Sequence, residues 1–94
     1  MLMAVIYDIS DTPTRNDIIK CLQHYGLHRV QKSAFLGNLS HTQREKMEGK
    51  LGLFILSEND SIYLIPICDR CQDLTKIFSN EEILLENHDN FRIL

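Results

Sequence analysis

The chain begins with an apolar run, Ala4-Val5-Ile6-Tyr7, that ends in Asp8 and passes through Ile9, Ser10 and Asp11 into Thr12-Pro13. A short apolar run rich in branched residues predicts a buried strand. Thr12 followed by Pro13 predicts a helix start, with Thr12 as N-cap and Pro13 at the first helical position. Ile18, Cys21, Leu22 and Tyr25 then recur on one helical face, and Gly26 is placed to end that helix. Leu27 through Leu36 reads as extended, but Val30 and Phe35 differ in parity. A break or bulge near Lys32-Ser33 is needed if both are to face the core. Ser40 and Gln43 have the spacing of a capping box for a second helix. Its predicted buried stripe is Met47, Leu51, Phe54 and Ile55. Gly49 and Gly52 each weaken that helix by roughly 1 kcal/mol relative to alanine.

Glu58-Asn59-Asp60 predicts a turn, and Ser61 to Ile67 a second, nearly continuous apolar strand. Pro66 cannot donate a ladder hydrogen bond, which places it near an edge or at the strand's end. Leu74 to Ser79 offers a further short strand. Residues 80–94 form an acidic tail with two apolar clusters, Ile83-Leu84-Leu85 and Phe91-Arg92-Ile93-Leu94. The order strand, helix, broken strand, helix, strand matches the split βαβ pattern. The expected fold is therefore α+β, a ferredoxin-like βαββαβ domain over residues 1–79 with an added C-terminal strand. The tail clusters exceed what one 94-residue core can absorb, so residues 80–94 are expected to dock on a partner.

Composition narrows the class. A hydrophobic content of 44% with no low-complexity tract argues against disorder. No apolar run approaches the roughly 20 residues that span a bilayer. Met1 to Ile9 lacks a basic leader, so a cytoplasmic protein with no membrane association is expected. The three cysteines suit a reducing compartment better than a disulfide framework. Cys68-Asp69-Arg70-Cys71 has the spacing of half a zinc site, but no second pair follows. A thioredoxin-like motif belongs in an early strand-to-helix turn, so free thiols are expected here. His24, His28, His41 and His88 follow no metal-ligand spacing.

The net charge of -3 at first speaks against nucleic acid. The distribution says otherwise. Residues 15–50 carry seven basic side chains (Arg15, Lys20, Arg29, Lys32, Arg44, Lys46, Lys50) against three acids (Asp17, Glu45, Glu48). Residues 51–94 carry three basic and eight acidic side chains. Phosphate binding responds to the local field more than to net charge. An ordinary solvated surface of mixed charge is the competing reading.

Tyr7-Asp8-Ile9-Ser10-Asp11 with Arg15 behind it resembles the start of the CRISPR-associated protein two family. The run Arg29, Gln31, Ser33, Phe35 and Gly37 is similar to that family's Arg-x-Gln-x-Ser-x-Phe-x-Gly motif, and Ile62 to Ile67 followed by Cys68 fits its later strand. The resemblance covers residues 2–79. It implies a symmetric homodimer whose two sheets face each other, with C-terminal strands exchanged onto the partner. It implies a part in CRISPR adaptation, the dimer bridging two copies of the integrase, CRISPR-associated protein one, and holding duplex DNA. Some members look like divalent-metal endonucleases acting on RNA or DNA, with the strand-end aspartate as the metal ligand. That role carries over to Asp8.

A single carboxylate is a poor metal site, since magnesium binds through one or two carboxylates and keeps several waters. A two-fold dimer supplies a second copy of Asp8. Asp8 is thus the expected catalytic residue and ligand for Mg2+ or Mn2+. Ser10 and Asp11 are outer-shell candidates, with turn and capping duty as the competing reading. Arg15, Arg29 and Lys32 are the expected contacts to nucleic acid, either duplex DNA or single-stranded RNA. The favoured function is a DNA-bridging adaptor for the integrase with magnesium-dependent endonuclease activity. The alternatives are a stand-alone metal-dependent endoribonuclease and a small-molecule-binding regulatory domain. The last needs a glycine-rich ligand loop, which this chain lacks.

Overall fold

A computed structural model describes residues 1–78 and the backbone of Arg92–Ile93. Leu2–Asp8 (β1), Thr12–His24 (α1), His28–Gln31 (β2), Ala34–Asn38 (β3), His41–Leu51 (α2) and Ser61–Ile67 (β4) follow in chain order. The four strands form one antiparallel sheet in the order β2-β3-β1-β4. This is the α+β, ferredoxin-like arrangement that the sequence pattern predicts. β1 lies inside the sheet because it carries the most continuous apolar run, and β4 with Pro66 forms an edge, where a residue without an N–H is tolerated.

Alternation along β1 divides the sheet into two faces. Met3, Val5 and Tyr7 point to the helices and pack with Ile18 and Leu22 of α1, Met47 and Leu51 of α2, and Phe35 of β3. Leu2, Ala4, Ile6 and Asp8 therefore project from the opposite face, away from α1 and α2. There Leu2 and Leu36 make a small second cluster with Ala4, Val30, Ile67 and Ile77. Beyond that cluster the open face leaves Ile6, Tyr63 and Ile65 exposed.

Several local expectations change. The α1 N-cap is Asp11, one residue earlier than Thr12, because its carboxylate accepts from the Thr14 backbone N–H at 2.9 Å. Gly26 does follow the helix, with φ of 87°, a conformation that favours glycine. Lys32-Ser33 is the hairpin turn, and the register shifts between Arg29 and Gln31, leaving Val30 as the extra residue of a bulge. Val30 joins the cluster on the open face, so it does not share a face with Phe35. The Ser40–Gln43 capping box forms as expected. Ile55 is not part of the α2 stripe: the helix ends at Leu51 and Ile55 is 92% exposed, while Phe54 packs on the core. Asp69–Leu74 is a short helix (α3) that the sequence pattern missed. Only Lys76–Ile77 (β5) remains of the further strand, and it pairs in parallel with Arg92–Ile93 (β6). The cluster Ile83-Leu84-Leu85 and the domain boundary at 79/80 lie outside the described residues. Among the described residues no helix is long and apolar enough to cross a membrane.

Candidate active site and nucleic-acid interface

Asp8 is the last residue of β1, opposite Ser61 of β4, and it is exposed. Its neighbours Tyr7 and Ile9 are both buried on the helix side. The two-residue period of the strand therefore forces the Asp8 side chain onto the open face. No hydrogen bond or ion pair engages its carboxylate among the described residues. Inboard of it lie the exposed Ile6 and, directly across the ladder, Tyr63. A charged rim thus borders an apolar strip.

The turn after Asp8 is fixed by two other carboxylates. Asp60 Oδ1 accepts from the Ser10 backbone N–H at 2.9 Å and from its hydroxyl at 3.0 Å, and Asp60 Oδ2 accepts from the Ser57 N–H at 3.0 Å. These bonds, the backbone ones foremost, hold the Asp60 carboxyl below its ordinary pKa. Asp11 accepts from the Thr14 hydroxyl at 2.6 Å as well as from its N–H, and those bonds lower its pKa too. Ser10 and Asp11 are thus bound into the turn that follows Asp8. Asp60, which the sequence marks only as a turn residue, is the group that ties this turn to the start of β4.

Two of the three basic candidates, Arg15 and Arg29, are tied by hydrogen bonds to the residues that flank Asp8, directly or through the Lys32 carbonyl. Arg15 donates from Nη1 to the Ile9 carbonyl and from Nη2 to the Thr12 hydroxyl, both at 3.0 Å. Arg29 donates from Nη2 and Nε to the Lys32 carbonyl at 2.8 and 3.3 Å. The same carbonyl accepts from the Tyr7 hydroxyl at 2.6 Å, and the Tyr7 N–H donates to the Ser33 carbonyl at 3.0 Å. Arg15 is therefore anchored to the residue after Asp8, and the hairpin bearing Arg29 and Lys32 to the residue before it. Hydrogen bonds to neutral oxygens position a guanidinium without cancelling its charge. The ion pairs among the described residues are His41–Glu45 at 2.8 Å and Arg44–Glu48 at 3.8 Å, and neither involves these three.

Asp8 fits a hard divalent cation as one oxygen donor. Among the described residues of one chain, no group of three or more His, Cys, Asp or Glu side chains gathers to complete a site. Cys68 and Cys71 gain no third ligand on the same grounds.

Comparison with known proteins identifies the family. The family described as CRISPR associated protein Cas2 matches residues 1–75. A protein of Archaeoglobus fulgidus named CRISPR-associated endoribonuclease Cas2 1 is 41% identical over 85 residues, 90% of each chain. A CRISPR-associated endoribonuclease Cas2 of Korarchaeum cryptofilum is 44% identical over 66 residues, 70% of this chain and 71% of its own. A protein of Thermoproteus tenax named CRISPR-associated endonuclease Cas1/endonuclease Cas2 fusion is 29% identical over 73 residues, 78% of this chain and 28% of the fusion. With the family match spanning both the Asp8 strand end and the Arg29–Gly37 hairpin, this chain belongs to the Cas2 family.

Proposed function

We propose that this chain is a homodimeric endonuclease of CRISPR adaptation whose phosphodiesterase site is built from Asp8 of two copies. One observation carries this reading: among the described residues, an exposed carboxylate with no partner stands at the rim of an exposed apolar strip of the sheet. Contiguous exposed apolar surface favours burial against a partner. Two-fold pairing of open faces puts equivalent residues opposite each other, so Ile6, Tyr63 and Ile65 would be covered and two Asp8 carboxylates brought to one site. Bound there, magnesium or manganese would withdraw charge from the scissile phosphate and activate water. The chain's own part is positional. Asp60 and Asp11 hold the turn behind Asp8, with Ser10 bridging to Asp60, while Arg15, Arg29 and Lys32 supply positive charge for the phosphates on either side.

The names of the relatives favour RNA as the substrate of that site. A second role as adaptor, binding duplex DNA and the Cas1 integrase, is supported by the basic strand-end cluster and by the fused Cas1/Cas2 relative. The nuclease reading is tested by single-stranded RNA cleavage in a magnesium titration, with wild-type and Asp8→Asn proteins compared beside their masses by light scattering. Asp8→Asn keeps the size and removes the charge that a hard cation needs. Metal-dependent cleavage lost in the variant, with the dimer mass retained, supports the proposal. Cleavage unchanged in the variant contradicts it and leaves the adaptor role.

A further inference from the structure

Tyr7 is the buried residue before Asp8, and its side chain carries a hydroxyl that core packing does not require. The residue is 2% exposed and its ring lies 6.2 Å from that of Phe35. A phenylalanine would fill the same space. The hydroxyl instead reaches the turn between β2 and β3, donating to the Lys32 carbonyl at 2.6 Å. The Tyr7 backbone N–H donates to the next carbonyl, that of Ser33, at 3.0 Å. One residue thus grips both carbonyls of the hairpin turn. The backbone bond, with the ladder that pairs Ile6 with Ala34, holds the hairpin on β1 without help from the hydroxyl.

What the hydroxyl adds is the setting of a single carbonyl, and Arg29 is held on that carbonyl. Arg29 stands opposite Phe35 in the β2–β3 ladder, so it shares the helix-side face with the Tyr7 ring rather than the open face of Asp8. Its Nη2 and Nε donate to the Lys32 oxygen at 2.8 and 3.3 Å, while its Nη1 has no partner among the described residues. The oxygen has two lone pairs, so the short Tyr7 bond fills one and the two Arg29 bonds share the other. A guanidinium takes a phosphate through a planar fork, and the direction of that fork decides how well it binds. The ladder guides Arg29 poorly, because the register shifts between Arg29 and Gln31. The fork is therefore aimed by the Lys32 carbonyl, and the carbonyl by Tyr7.

We propose that Tyr7 is a positioning residue for nucleic-acid binding: through the Lys32 carbonyl, its hydroxyl holds the Arg29 guanidinium in the orientation that takes a backbone phosphate. The inference rests on the reading of Arg29 as a nucleic-acid contact, and not on Asp8, a metal ion or cleavage. Tyr7 is buried and does not itself touch the phosphate, so its whole effect on affinity runs through Arg29.

The full chain is titrated into fluorescein-labelled single-stranded RNA and followed by anisotropy in EDTA at several salt concentrations, so that metal-dependent cleavage plays no part. Circular dichroism and light scattering confirm that each variant keeps the wild-type fold and mass. Tyr7→Phe should weaken binding about threefold to tenfold, the effect of one hydrogen bond. Arg29→Ala should weaken it at least as much and lower the salt slope by about 1. The double variant should bind no more weakly than Arg29→Ala alone, because the two changes remove one interaction. Wild-type affinity in Tyr7→Phe overturns the proposal. So does a Tyr7→Phe loss that persists undiminished in the Arg29→Ala background, the mark of a merely structural hydroxyl. Wild-type affinity in Arg29→Ala overturns both the proposal and the contact it rests on. A wild-type protein that binds RNA but does not cleave it when magnesium is added overturns the nuclease reading alone.

Discussion

The two faces of the sheet should respond to truncation in opposite ways, and two aromatic residues provide the contrast. Phe35 is fully buried, its ring 6.2 Å from that of Tyr7, and it sits opposite Val5 in the ladder. Phe35→Ala removes the whole side chain from a packed site, a loss of about 3–5 kcal/mol including the cavity. A 94-residue domain is stable by about 5–14 kcal/mol in all, so the variant should lose between about a fifth and all of its stability. Tyr63, two strands away on the open face, is 60% exposed in the single chain. Tyr63→Ala should cost a monomer about 0.5 kcal/mol. Whatever larger loss it shows should come from the proposed dimer, and so must depend on protein concentration. Urea unfolding at several protein concentrations, with dimer mass followed by light scattering, separates the two effects. A loss below about 1 kcal/mol for Phe35→Ala would refute the packing argument. A large, concentration-independent loss for Tyr63→Ala would refute the description of the open face as uncovered in one chain.

Replacing Arg15, Arg29 and Lys32 together by alanine should weaken binding to duplex DNA and single-stranded RNA and lower the salt slope by about 3, read from filter binding across salt concentrations; an unchanged slope would make these residues a solvated surface only. The Asp11 and Asp60 carboxyls have folded pKa values below the ordinary one, so their stabilisation is present above about pH 4 and is lost as pH falls through the lowered values. Thermal melts of an Asp11→Ala/Asp60→Ala double variant between pH 2 and about pH 6 should accordingly show a flatter acid limb than the wild type. Gly37→Ala would set a Cβ 2.9 Å from the Leu27 Cα, a backbone atom that cannot rotate away, and should cost about 1–3 kcal/mol in urea unfolding.

The sequence disclosed most where periodicity was long. The β1 run, the α1 face ending at Gly26, and the capping box of α2 all depend on local patterns that tertiary packing reinforces. Asp8 could be placed at a strand end from the pattern alone, and alternation then fixes its face. Contacts over long separation were not legible. Nothing local shows that Asp60 reaches back 50 residues to Ser10, or that one Lys32 carbonyl joins Tyr7 to Arg29. The α3 helix was missed because its six residues are too few for a helical period to emerge, and four of its six are polar or charged. The one-residue shift of the α1 cap arises from a choice between two adjacent acceptors, Asp11 and Thr12, which side-chain type alone does not decide. Ile55 failed as a core residue because the helix stops one turn before it.

The central claim is that Asp8 acts in two copies at one site, and mixed dimers test it most directly. Wild-type and Asp8→Asn chains carrying different affinity tags are co-expressed, and the heterodimer is isolated by two successive captures. Its magnesium-dependent cleavage of single-stranded RNA is then compared with that of each homodimer. A shared site predicts cleavage well below half the wild-type rate, because every heterodimer has lost one of its two carboxylates. A heterodimer that cleaves at half the wild-type rate, as two independent sites would, contradicts it.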